Sequence, residues 1–340
     1  MNSRERVQAV LRHRVPDSVP HGLYDVTIEN YNDTTLEFFQ KMTGKHPRDC
    51  FRHDIRNVNM KAIPRAPDPG PRDRAPDGRS WRAVMSEVES VDDLRRTGFY
   101  EAWVPTPWRV EDVKPQIDAL HADGYACFGG IQGTIGMTVW RLRGQSQFLM
   151  DLADRPAWLE VLLDWVTEAT IADMCVSARA HPDIHCLWDD FGTQRGLLFS
   201  PQTFQELFVP RYKRVVDAIK RVDPEGAVFY HCCGDATPII PALIEAGIDI
   251  LNPLQPEAMD PVAVKREFGK DLVLWGGLGV QSTLSRGTPQ DVDDAVGRLM
   301  ETVGKDGGYI LTPAHMINPD IPWENIVAFF EAAERYGNYG

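Results

Sequence analysis

Basic residues are the scarce class in this chain. Thirty-six Lys and Arg stand against 49 Asp and Glu, a formal net charge of −13, and a field of that sign repels phosphate backbones and anionic membrane surfaces alike. No nucleic acid and no membrane is expected as a partner. Long apolar runs are missing too: no stretch approaches the ~18–20 uninterrupted apolar residues of a membrane helix. The opening residues, MNSRERVQAVLRHR, are too charged for a secretory apolar segment, so a cytoplasmic location is the expectation. Cysteine is sparse, 6 in 340 residues, which does not suggest a disulfide framework. Each thiol must be read for packing, metal binding or reactivity. A dinucleotide fingerprint is also lacking, because the glycines of GGIQGTIG (129–136) follow a strand-like run without giving GxGxxG.

What is present is ordinary globular usage, 43% hydrophobic with 27 Gly and 25 Pro, in a chain long enough to bury a core without metal or disulfide staples. A helix is expected from Ser3, its cap, to the residues before Pro16, followed by a short buried strand in VPHGLYD (19–25). Residues 34–43 read as helical. The segment 63–79, with five prolines, cannot be regular and reads as a surface excursion within a single domain spanning 1–340. From Gly124 onward short apolar runs alternate with long amphipathic ones. The runs are 125–131, 184–190, 227–231, 248–254, 271–277 and 308–313. Between them, helical stretches at 156–180, 201–220, 238–246, 261–268 and 288–303 each begin near a proline, which the first helical turn tolerates. Six such strands, with one or two more in the first third, approach the eight of a (β/α)8 TIM barrel carrying an N-terminal helical extension. An open doubly wound sheet is the competing arrangement.

A barrel carries its chemistry at the C-terminal ends of its strands, and here those ends are polar. YHCCGD (230–235) is the sharpest signal. Side chains alternate along an extended segment, so His231 and Cys233 share a side and Cys232 takes the other. Imidazole and thiolate at that spacing can share one zinc ion, at ~2.0–2.1 Å and ~2.3 Å, with a third protein ligand and one open position. His315, beyond the last strand, is the candidate third ligand. The same pattern fits a locally hydrogen-bonded histidine beside small buried thiols. Asp189 and Asp190 end another strand; with Gln194 they are candidates to orient a ligand or manage a proton, and helix capping is the plainer alternative. Tyr24, Gln132, Asn252 and Trp275 stand at strand ends as candidate substrate contacts. Arg143 could hold a carboxylate bidentately or simply be solvated. Cys50, Cys127, Cys175 and Cys186 show no ligand spacing and read as packing residues.

DDFGTQRGLLFSPQTFQELFVPRYKRVVDAIK (189–220), FYHCCGD (229–235), IDILNPLQPEAMDPVAVKREFG (248–269), LWGGLGVQSTLSRGTPQDV (274–292) and GGYILTPAHMINPDIPWENI (307–326) together resemble the uroporphyrinogen decarboxylase superfamily, most closely its corrinoid-linked methyltransferase branch and uncharacterised relatives. The resemblance implies a (β/α)8 barrel. It also implies one of two activities. The decarboxylases hold tetrapyrrole carboxylates with an amino-terminal Arg-rich motif, and VPHGLYDVTIENYN (19–32) has no such run. The methyltransferases carry His-x-Cys and a later Cys on zinc; His231 and Cys233 match the pair, and His315 stands where the later Cys is expected. The reading is a zinc-dependent methyltransferase acting on a small methyl donor or acceptor, of methoxy or methylamine type. Its corrinoid (cobalamin) would arrive on a separate corrinoid protein, since no DxHxxG-type signature is present. A homodimer is compatible with the resemblance. A carboxy-lyase on an acidic substrate and a non-catalytic metal-binding relative are the alternatives.

Overall fold

Seven parallel strands follow one another in sequence order around a single sheet, and a segment with no named strand of its own joins the two edges. The computed structural model describes residues 1–23, 33–59, 85–106, 108–130 and 133–340. The strands are β1 (Ile55–Asn59), β2 (Ala126–Gly130), β3 (Ile184–Trp188), β4 (Ala227–His231), β5 (Ile250–Leu254), β6 (Val273–Leu278) and β7 (Tyr309–Pro313). Between β7 and β1 run residues 20–23. Leu311 donates its N–H to the Pro20 carbonyl (2.9 Å), Asp54 donates to the His21 carbonyl (3.1 Å), and His21 bridges Leu311 in parallel. That segment takes the eighth position, so the architecture is the expected (β/α)8 barrel.

All six later strands lie where the apolar runs fall. The expected strand at 19–25 is reduced to this bridging stretch, and its last two residues lie outside the described set, as does the excursion at 63–79. β1 carries no clear signal in the sequence, because IRNVN places polar residues on both of its faces. Two helical details differ. Asn2, not Ser3, caps Ser3–Leu11: its side chain accepts from Glu5 N while Glu5 accepts from Asn2 N. The stretch 201–220 is two helices, Pro201–Leu207 and Val209–Val222, meeting at Phe208. Pro210, in the first turn of the second helix, has no N–H to continue the ladder.

Side-chain alternation divides each strand between lumen and helical shell. Phe128, Phe229 and Trp275, from β2, β4 and β6, touch one another with ring centroids 4.8–5.3 Å apart. Rings from alternate strands meet only inside the cylinder, which is how barrel interiors fill in layers. On the opposite face of β4, Tyr230 packs edge-on against Tyr212 of Val209–Val222. His231 is two residues beyond Phe229, so it shares the lumen side, one layer nearer the C-terminal mouth. Among the described residues no helix is long and apolar enough to cross a membrane.

One carboxylate ties the N-terminal helix to the ring closure. Asp54, with no exposure, accepts from Ser3 Oγ (2.8 Å), Arg6 Nη1 (2.8 Å) and His21 N (3.0 Å). Arg6 reaches on to Asp17 at 2.8 Å, and that hydrogen bond holds the Asp17 carboxyl well below the usual carboxylate range. Removing one partner of a buried pair leaves an uncompensated charge. Asp54→Ala is therefore expected to lower unfolding free energy by about 3 kcal/mol, the low end of that class because Asp17 still engages Arg6. A urea midpoint equal to that of the parent protein would show that the ring closes without this carboxylate.

Candidate functional site

The site is built on the register of three adjacent strands. Trp188 of β3 pairs with His231 of β4, and His231 with Asn252 of β5, so three side chains of one interior layer meet at the mouth. His231 is fully buried. Its Nδ1 lies 2.6 Å from Asn252 Oδ1, and the Asn252 amide is oriented by donating Nδ2 to the Trp275 carbonyl at 3.3 Å. An amide oxygen only accepts, so Nδ1 carries a proton and Nε2 is the nitrogen directed at the mouth. There Nε2 stands 3.2 Å from Cys233 Sγ and 3.3 Å from Asp190 Oδ1. The indole of Trp188 lies against the imidazole, centroids 4.3 Å apart.

Asp190 also accepts the Cys233 N–H at 3.0 Å. Burial works to raise its pKa, but the hydrogen bond and charge of a His231 that carries a proton on Nε2 as well, with the Cys233 amide, prevail and hold the carboxyl at about 2; a metal on Nε2 would take the place of that proton. The Cys233 thiol is pushed far up, first by burial and then by the negative charge of Asp190. A cation among these atoms would reverse that effect on the thiol, since a coordinating thiol is deprotonated outright.

Asp190, His231 and Cys233 place one donor atom each within 4.8 Å of one another. Zn–N of ~2.0–2.1 Å and Zn–S of ~2.3 Å put tetrahedral ligand atoms about 3.4–3.6 Å apart. The observed 3.2 and 3.3 Å separations are a few tenths short of that, and imidazole, thiolate and carboxylate are all zinc donors. The residues fit the metal.

The backbone around Cys233 is as tightly placed as its side chain. Gly234 has φ +82°, and its N–H donates to Gln255 Oε1 at 2.9 Å. A Cβ at Gly234 would collide with the main chain of Gly192 and Thr193, and one at Gly192 with the Cys233 carbonyl. Beside this junction a cavity of about 330 Å³ is bounded by Cys233, Gln194, Gln255, Glu257, His315 and Asn318, among others. Burial, followed by the charge of His231, lowers the pKa of His315, and Asp190 opposes this. His315 thus shares the mouth with the donor group. The compact three-donor set nevertheless includes Asp190, where the sequence suggested His315.

The remaining candidates have varied placements. Asp189 points into the shell: its carboxylate accepts the N–H groups of Ile135, Gly136 and Met137, at the start of the helix Gly136–Arg143, and the hydroxyl of Tyr212. Burial raises its pKa to about 6 against the pull of those four donors. It has the capping role, not contact with the cavity. Arg143 pairs with Asp151 at 2.7 Å, donates to the Met85 carbonyl and covers Trp158, so it fastens helices together. Asn252 orients His231, and Trp275 belongs to the aromatic layer below. Gln194 lines the cavity. Tyr24 and Gln132 lie outside the described residues. Glu257 and Asn318 carry no signal in the sequence, because each stands in the loop beyond its strand with no spacing to mark it.

A second three-donor group, His121, Cys127 and Asp183, forms at the opposite end of the barrel, although Cys127 shows no ligand spacing in sequence. Arg4 pairs with Asp183 at 3.0 Å and Gln8 donates to it at 3.1 Å, so existing partners already satisfy that carboxylate.

Among the described residues Tyr212 is the one side-chain donor to the buried Asp189 carboxylate, and it receives the Tyr230 hydroxyl at 3.2 Å. Tyr212→Phe removes that donor with little change in volume. The expected loss is about 1–3 kcal/mol, the cost of leaving a buried acceptor short of a partner. Denaturant unfolding reads it, and an unchanged midpoint would mean that the three backbone amides suffice.

The family model described as uroporphyrinogen decarboxylase (URO-D) matches residues 123–336. Among curated relatives, a uroporphyrinogen decarboxylase of Picosynechococcus sp. is 25% identical over 187 residues, covering 54% of this chain and 50% of that protein. One of Nostoc punctiforme is 28% identical over 137 residues, 40% of this chain and 36% of that protein. Uroporphyrinogen decarboxylase 2, chloroplastic, of Arabidopsis thaliana is 23% identical over 180 residues, 53% and 43% respectively. The matched part thus spans about half the length of these relatives or less. A solved structure described as a methyltransferase from Methanosarcina mazei superposes with a TM-score of 0.65 at 17% identity, over 99% of both chains. At that identity the likeness shows the fold.

Proposed function

The chain belongs to the uroporphyrinogen decarboxylase family, and from that membership we propose that it is a zinc-dependent methyltransferase whose corrinoid is carried by a separate protein. The observation that carries this reading is the convergence of His231 Nε2, Cys233 Sγ and Asp190 Oδ1 at the barrel mouth. A zinc ion held there supplies Lewis acidity toward a small substrate's heteroatom, and the corrinoid supplies the carrier of the methyl group.

The chain's own residues do the rest. Asn252 keeps the His231 proton on Nδ1, so the Nε2 lone pair stays available for coordination. Asp190 binds the Cys233 amide and stands beside the ring, either as third ligand or as the base that takes the proton leaving the thiol. In the first case His315, on the cavity wall, exchanges protons with the substrate; in the second it completes the ligand set. The cavity of about 330 Å³ is at the low end for a small-molecule pocket, which matches a small donor or acceptor. Gln194 and Gln255 offer it amide contacts.

A lyase of the decarboxylase type is the second reading, supported by the names of the curated relatives. Against it, the described residues lining the cavity include no Lys or Arg to meet a carboxylate.

Metal analysis of the purified protein tests the proposal. About one zinc per chain is expected, with Cys233→Ala losing it. Asn252→Ala should weaken zinc binding 10- to 100-fold, as for other partners that orient a ligand. Comparing Asp190→Ala with His315→Ala identifies the third ligand as the one whose loss matches that of Cys233. Protein that takes up no zinc under any loading condition, or zinc protein that moves no methyl group to or from any corrinoid protein offered, would overturn the reading. Release of CO2 from a carboxylated substrate would establish the lyase.

A further inference from the structure

We propose that the cavity beside Cys233 recognises a cationic group, so that the substrate carries an ammonium a few atoms away from the heteroatom that bears the methyl group. The inference rests on the methyl-transfer reading for the fate of the substrate, and on the charge of the cavity for its binding. Glu257 supplies that charge. Its Oε1 accepts from Gln281 N (3.0 Å), Ser282 N (3.1 Å) and Ser282 Oγ (2.8 Å), which fix the carboxylate in the wall. Its Oε2 is buried and has no hydrogen-bond partner. With no donor on Oε2, the charge of the carboxylate is offset only by the three donors to Oε1.

The neighbours do not neutralise it. Among the described residues, the wall holds amides and hydroxyls such as Gln194, Gln255 and Asn318, and no lysine or arginine. Asp190, with 30% of its side chain exposed, adds a second carboxylate at the edge of the same mouth when no zinc is bound; with zinc held there its charge is balanced, and Glu257 alone sets the sign of the cavity. The chain's net charge of −13 reinforces the sign, because a cleft with low-dielectric walls focuses the field of the whole protein. A cation gains from this field without touching Oε2. An anion is repelled, and a neutral ligand is indifferent.

Three probes of similar shape separate these cases: tetramethylammonium, tert-butanol and pivalate, each titrated into the full chain and followed by calorimetry. Tetramethylammonium is expected to bind at least tenfold more tightly than tert-butanol, with an affinity that falls as salt is added, and pivalate more weakly than either. Glu257→Gln keeps an acceptor for the 281–282 amides and removes the charge; it should weaken tetramethylammonium about tenfold and leave tert-butanol unchanged. Asn318→Lys places a cation on the exposed rim without disturbing Glu257, and should weaken tetramethylammonium while admitting pivalate. Equal affinity for all three probes, tightest binding of pivalate, absence of tetramethylammonium binding, or indifference to both substitutions would overturn the proposal. Zinc measured on the same samples keeps the two readings apart. Zinc-free protein that still prefers the cation removes methyl transfer and retains the cation site, whereas zinc-loaded protein with no preference does the reverse.

Discussion

The contact on which the site depends is the 2.6 Å hydrogen bond between His231 Nδ1 and Asn252 Oδ1. It decides the tautomer, and the tautomer decides which nitrogen has a lone pair to offer. Both residues are fully buried on adjacent parallel strands, in register with each other, so backbone pairing rather than loop conformation sets the aim of the ring. Cys233 follows at the next position on the same side, and the Cys233 amide fixes Asp190 in turn. A site on rigid strands keeps its donors within a few tenths of an ångström, the tolerance coordination requires.

The same strand end shows how alternation assigns opposite chemistry to neighbours. Asp189 and Asp190 are consecutive, yet one carboxyl is raised to about 6 and the other held at about 2. Asp189 faces the shell, where burial dominates even though four donors surround it. Asp190 faces the mouth, where His231 offsets the burial. Asp189 thus anchors the helix start at residues 135–137, and Asp190 stands beside His231 and Cys233. The pair links the rigidity of the shell to the placement of the site, because a shift of one would move the other.

Much of this was legible in the residues. Hydrophobic runs bounded by Gly and Pro located the six later strands, and alternation alone put His231 and Cys233 together. The misses share a cause: they depend on contacts between segments far apart in the chain. β1 was invisible because its Asn and Arg residues belie burial, and residues 20–23 are strand-like only by virtue of the two edges they join. Nothing local distinguished Asp189 from Asp190, since the difference lies in what each faces. Arg143 looked available for an anion until Asp151 and Trp158 were seen to enclose it. Glu257 gained meaning only from the amides of 281 and 282, which come from the following βα unit.

The fold cannot choose between the two chemistries of the family, because a barrel supports many reactions by varying its strand ends. The choice rests on charge at the mouth. A decarboxylase must hold a carboxylate in the ground state, which calls for a guanidinium, an ammonium or a set of oriented donors facing the cavity. Two buried arginines are committed elsewhere: Arg143 to Asp151, and Arg211 to Asp164 and Glu160. Both are nearly fully buried, and neither lines the cavity beside Cys233. What the described mouth offers instead is a carboxylate, a thiol and imidazoles. Such a set is poorly matched to an anionic substrate and well matched to a divalent cation, and that match of charge is what supports the metal proposal, apart from any analogy with a neighbouring fold.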